Sequence, residues 1–177
     1  FMKITVVSPS SGHSAYSIAS KTFINLLNKT TNYTAEIITD NNFDLNSTSS
    51  EFIVLIGNDT ANSVVASLYL NEKIDKLDIT YGKDDYVIRS YDINNKHVLI
   101  LAGGRPRSTI YAVYRYFEIV YNCRWFWDGD KIETSPLKLD SINISESPRF
   151  DYRGIRYFAH RSLQITIILS LSRTLEF

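Results

Sequence analysis

The chain has 177 residues, with 19 lysines and arginines against 19 aspartates and glutamates, and a single cysteine, Cys123. That length suits one ordinary domain, able to bury about two thirds of the surface its unfolded form exposes. The balanced charge removes the long-range field that gathers nucleic acid, so nucleic acid is excluded as the expected partner, and one cysteine leaves neither an internal disulfide framework nor a four-cysteine zinc site.

The start, Phe1-Met2-Lys3, goes straight into an apolar alternation without the charged and long apolar stretches of a secretory signal. A first strand is expected over residues 3–8, ending in the turn residues Pro9, Ser10, Ser11 and Gly12. Ala15, Ile18, Ala19, Phe23, Leu26 and Leu27 then recur at three- and four-residue steps, which predicts a helix over about 13–28. A second strand is expected over 34–39, a polar loop over 40–50, and at 52–56 a continuous apolar run of the kind buried on both faces. After Gly57, Asp59 or Thr60 is the expected cap of a second helix carrying Ala61, Val64, Val65 and Leu68 on one face.

Beyond a charged connection over 71–85, residues 86–92 alternate as a strand, and Asn94-Asn95 turns the chain into a partner strand over 97–102. Ile110, Val113, Tyr114, Phe117 and Val120 share a face of a third helix over 106–121, with Pro106 acceptable in its first turn. Residues 124–127 are expected to return to the sheet, and Leu137, Leu139, Ile142 and Ile144 suggest a linker with a small strand. Strands alternating with helices, plus one hairpin, predict an α/β (α+β) two-layer sandwich: a mixed sheet carrying its helices mainly on one face. The last apolar run, 165–171, falls short of the roughly 18 residues of a membrane-spanning helix, so no membrane span is expected. Residues 163–171 are instead a candidate tail for docking onto a sheet edge or a second copy of the chain, since an apolar β-branched segment invites edge pairing. Triplets of the form Asn-x-Ser/Thr begin at Asn28, Asn32, Asn46, Asn58 and Asn143; in a chain this rich in Asn, Ser and Thr, chance accounts for them.

Few residues carry candidate chemistry. Arg105 and Arg107 stand at a helix start, beside the positive end of its dipole, which suits cations only when an anion joins them. One reading is a carboxylate or phosphate site; the favoured one is internal pairing with Asp128, Asp130 or Glu133. Gly103-Gly104 lacks the residues of a phosphate loop or a dinucleotide fingerprint, so no cofactor is expected. Trp125 and Trp127 offer flat faces for a sugar ring, with Phe126 pointing the other way along a strand; packing is the favoured reading over sugar contact. His13 and His160 lack metal-ligand spacing, so no metal site is expected, and Cys123 reads as a small buried hydrophobe.

Taken in order, Tyr86-Val87-Ile88-Arg89, Ala102-Gly103-Gly104, Thr109-Ile110-Tyr111-Ala112-Val113-Tyr114, Arg124-Trp125-Phe126-Trp127 and Pro148-Arg149-Phe150-Asp151-Tyr152-Arg153-Gly154 carry a resemblance. The chain resembles the N-terminal α/β domain of α-glucuronidases and β-N-acetylhexosaminidases, which precedes a (β/α)8 catalytic barrel. The resemblance spans about residues 52–156. It implies an accessory domain over 1–147, followed over 148–177 by the remnant of the start of a barrel or a C-terminal tail, a truncated relative of a glycoside hydrolase in carbohydrate metabolism, and a secreted or periplasmic location. It also implies that Arg153 bonds sugar hydroxyls. Two departures stand out: Ser108 replaces a smaller residue at the helix start, and Ile155-Arg156-Tyr157-Phe158 lacks an aspartate usual in hexosaminidases. Glycoside hydrolysis needs two carboxyls about 5 to 9.5 Å apart; no such pair can be named, so no catalytic residue is assigned and the chain by itself is expected not to be an enzyme. Carbohydrate is the expected partner.

Overall fold

A computed structural model of the chain describes residues 2–150. Strands β1 (Ile4–Ser8), β2 (Glu36–Thr39), β3 (Phe52–Ile56), β4 (Tyr86–Ile93), β5 (Lys96–Gly103) and β8 (Asn143–Glu146) form a mixed sheet in the order β2-β1-β3-β5-β4-β8. β1 pairs in parallel with β2 and β3, and β3 with β5; β4 is antiparallel to both its neighbours, β5 and β8. A separate two-stranded hairpin joins β6 (Arg124–Phe126) to β7 (Gly129–Lys131).

The side-chain alternation of the strands decides which helix covers which face. Ile4, Val6, Phe52, Val54, Ile56, Leu99 and Leu101 face the two long helices, α1 (Ser14–Thr31) and α3 (Pro106–Tyr121), where Phe23, Tyr116, Phe117 and Tyr121 supply the aromatic core. Val7, Ile53, Leu55, Val98, Ile100 and Ala102 face the short helix α2 (Ser63–Leu70) and the connection after it, through Val65, Leu68, Ile74 and Leu77. The fold is thus an α/β sandwich whose main helical layer lies on one side. β3 is buried throughout, as its unbroken apolar run predicts.

Helix ends follow local side-chain chemistry. His13 caps α1 by accepting from the Ala15 N–H through Nδ1 at 3.1 Å, and the α1 exit turns at Asn32 with φ 61°. α2 begins later than the expected cap: Asn62, not Asp59 or Thr60, is its N-cap. The buried Asn62 Oδ1 accepts from Val64 N–H at 3.0 Å while its Nδ2 donates to the Val7 and Ile56 carbonyls at the ends of β1 and β3. Thr60 is occupied elsewhere, because Asn58 Oδ1 accepts from its N–H and hydroxyl at 3.0 and 2.7 Å. Asp40 ties the same region from outside: its carboxylate accepts from Ser10 N–H at 2.6 Å and from Ser63 N–H, in the first turn of α2, at 2.8 Å.

Residues 124–127 do not return to the main sheet. β8 takes the edge beside β4 instead, held by Arg115 on Glu146 at 2.9 Å and by the Tyr86 hydroxyl donating to the other Glu146 oxygen. At the far end of β5, α3 comes closer than any side chain would permit. A Cβ on Gly103 would stand 2.2 Å from Ser108 Oγ and 2.6 Å from Thr109 N, so the replacement of a smaller residue by Ser108 leaves the close approach intact.

Two outcomes check this account. Gly103→Ala forces the first turn of α3 off the strand and lowers stability by about 3 kcal/mol, measured as the urea midpoint at unchanged m-value. Burial by itself would raise the Asp40 carboxyl, but the bonds from Ser63 and Ser10 outweigh it and hold its pKa below the ordinary value. Its stabilisation is therefore complete above the unfolded pKa of about 4 and is lost as pH falls through the lower folded value. Asp40→Asn accordingly flattens the acid limb of a stability-against-pH curve below about pH 4 relative to the parent chain.

Candidate functional site

In open α/β sheets, ligands favour the edge at the carboxyl ends of the parallel strands. Here that edge is built by the turns after β1, β3 and β5, together with a turn over residues 80–85. This turn latches onto Gly104, the residue just after β5: Gly82 N–H donates to the Gly104 carbonyl at 2.9 Å, and Gly104 N–H to the Asp85 carbonyl at 2.8 Å. A Cβ on Gly104 would lie 2.2 Å from the Thr80 carbonyl oxygen.

Asp84, only 6% exposed at its side chain, faces both arginines. Arg107 donates to it through Nε at 2.8 Å and Nη2 at 2.6 Å, a two-pronged pairing, whereas Arg105 approaches only to 3.9 Å and donates through Nε to the Gly82 carbonyl. The carboxylate beside the helix start is therefore the chain's own Asp84, and Asp128, Asp130 and Glu133 are not the partners. A crevice of about 240 Å³ lies against Lys83, Asp84, Arg105 and Pro148. Next to this cluster the Tyr81 hydroxyl donates to Asp59; burial, followed by that bond, pushes the Tyr81 phenol up to about 12.

The tryptophans separate. Trp125 is half-buried, its ring edge-on to Tyr114 with centroids 4.9 Å apart. Trp127 falls in the turn of the β6–β7 hairpin and is 98% exposed, beside Phe126 at 57%. Strand alternation therefore does not place Trp125 and Trp127 on one side, because the strand ends at Phe126. Cys123 is fully buried, and burial pushes its thiol up, which suits a core residue rather than a nucleophile. Arg153, His160 and the 163–171 tail lie outside the described residues. Among the described residues no group of three or more His, Cys, Asp and Glu side chains could hold a metal ion, and no helix is long and apolar enough to cross a membrane.

No family model matches the chain, and no curated protein sequence does. Among solved structures, the fold is similar to that of a novel family GH115 4-O-methyl-α-glucuronidase with specificity for decorated arabinogalactans. The TM-score is 0.55 at 14% identity, over 85% of this chain and 18% of that chain. The likeness is one of fold, and this chain spans less than a fifth of that chain's length.

Sequence reasoning missed Asp84, Tyr81 and Asp59 as members of this edge. Asp84 lies about twenty residues from its arginines in a connection without periodicity, so only the anomaly of two cations at a helix start hinted at a hidden carboxylate. The pairing geometry ranks the arginines: Arg107→Ala lowers the urea midpoint of unfolding more than Arg105→Ala does, because only the first removes two direct hydrogen bonds from a buried carboxylate.

Proposed function

We propose that this chain is a non-catalytic accessory domain of a glycan-degrading glycoside hydrolase, bracing a catalytic barrel and bordering its substrate cleft. The observation that carries this reading is the fold likeness: 85% of the chain superposes on 18% of a glucuronidase, the size relation of one accessory unit to a much longer enzyme. The resemblance of Pro148-Arg149-Phe150-Asp151-Tyr152-Arg153-Gly154 to the entry of a first barrel strand agrees with it, and Arg153 is then the first residue of this sequence to reach sugar hydroxyls. Sequencing the gene beyond the Phe177 codon tests the reading. Barrel-encoding sequence in any frame supports it, while unrelated sequence overturns it. The chain alone is expected to release no chromophore from 4-nitrophenyl glycosides, and turnover there would contradict the non-catalytic role.

One observation favours a second reading, a carbohydrate-binding module. Trp127 stands almost wholly in solvent on a hairpin whose base is anchored by the Trp125–Tyr114 contact, so an aromatic face is presented without a packing partner among the described residues. Sugar rings stack on such faces through their apolar side. On this reading Trp127→Ala abolishes glycan-array binding while Trp125→Ala mainly lowers stability; binding unchanged in Trp127→Ala removes it.

A further inference from the structure

The face of the sheet away from α1 and α3 carries a groove of about 560 Å³ between α2, the 40–50 segment and the β4–β5 turn, within the range of about 300–1,000 Å³ typical of small-molecule sites. Its floor is apolar, from Val64, Leu68 and Ile93, with the half-buried Phe43 and Leu45 along one wall. The opposite wall is polar and exposed. Ser63, Ser67 and Asn71, all exposed, recur every four residues and so line one stripe of α2 and its exit.

The polar groups around the groove are only half used. Asn94 Nδ2 donates to Asn46 Oδ1 at 3.0 Å, and Asn71 Nδ2 donates to the Ser67 carbonyl at 2.8 Å and hydroxyl at 3.2 Å. Each amide thus commits one end, and on these exposed side chains the Asn46 NH₂ and the Asn71 and Asn94 carbonyl oxygens face solvent, open to ring hydroxyls in place of water. Donors and acceptors alternating over an apolar floor match vicinal hydroxyls on a ring with an apolar face. Charge argues the same way. Asp40 is committed to the Ser10 and Ser63 N–H groups, and Lys73 and Asp44 carry opposite signs, so the groove holds no cluster of cations for a phosphate or uronate.

We propose that this groove binds a short neutral saccharide. The inference rests on the carbohydrate reading above only for the choice of probe, and it assigns a site on the opposite face of the sheet from the Trp127 hairpin. The test is a titration of the full 177-residue chain with galactobiose and with arabinobiose, followed by amide chemical shifts, with glucuronate as the charged comparator. Saturable shifts confined to residues 43–46, 63–73 and 94 are expected for a neutral disaccharide. Ser67→Leu fills the groove at a helical site that tolerates leucine, and Asn94→Gly removes an amide while keeping a residue at ease with its φ of 53°. Each variant is expected to weaken binding about tenfold, the equivalent of about 1.4 kcal/mol, with Trp127→Ala binding as the parent chain does. Shifts on residues 124–131 that vanish in Trp127→Ala, tighter binding of glucuronate, parental affinity in both groove variants, or no saturation with either disaccharide each overturn the proposal. Absence of barrel sequence in the gene would remove the accessory-domain reading and leave this result standing.

Discussion

The C-terminal edge of the sheet is organised by two missing Cβ atoms. Gly103 lets the first turn of α3 sit against the end of β5, and Gly104 lets the 80–85 turn close over the same point from the other side. Those two contacts bring Asp84 to Arg107 and fix the turn that carries Tyr81 to Asp59. Neither glycine has a positive φ, so the constraint is one of space, not of backbone conformation. Ser108 completes the arrangement: its hydroxyl donates to the Arg105 carbonyl at 2.8 Å, and the Arg105 N–H donates back at 3.1 Å, closing a helix turn that has no conventional cap.

Around that edge the molecule is held by polar side chains that each join several segments. Asn62 links the ends of β1 and β3 to the start of α2, Asn58 reaches the Gly103 carbonyl at 2.8 Å, and Asp40 joins the β1 exit to α2. Buried and satisfied, such groups fix one arrangement of loops where an apolar contact would allow several. The result is a rigid frame with two open features on opposite faces: the Trp127 hairpin on the side of the long helices and the groove beside α2 on the other.

The sequence made the frame legible wherever periodicity is strong. The apolar run of β3, the Asn94-Asn95 hairpin and the full extent of α3 follow from local pattern, since each is decided by burial or by turn chemistry within a few residues. The failures share a cause. Asn62 displaced the expected cap because its amide answers carbonyls on two distant strands, and Asp84 was invisible to any reading of neighbours along the chain. Residues 124–127 alternate like a sheet strand, yet Trp125 finds its contact on Tyr114 of α3, so the strand pairs locally with β7. The groove left no sequence signal at all except the four-residue spacing of Ser63, Ser67 and Asn71.

The placement of β8 sets the distance between the first and last strands of the sheet. β8 runs antiparallel to β4, hence in the same direction as β1, but four strand spacings away from it. The start of β1, one strand in from the β2 edge, and the end of β8, the strand at the opposite edge, therefore stand about 19 Å apart across the sheet as well as one strand length along it. Many domains bring their ends together and can be slotted into a host loop. Here the start of β1 and the end of β8 lie far apart, and a linker joining them would have to cross the sheet diagonally.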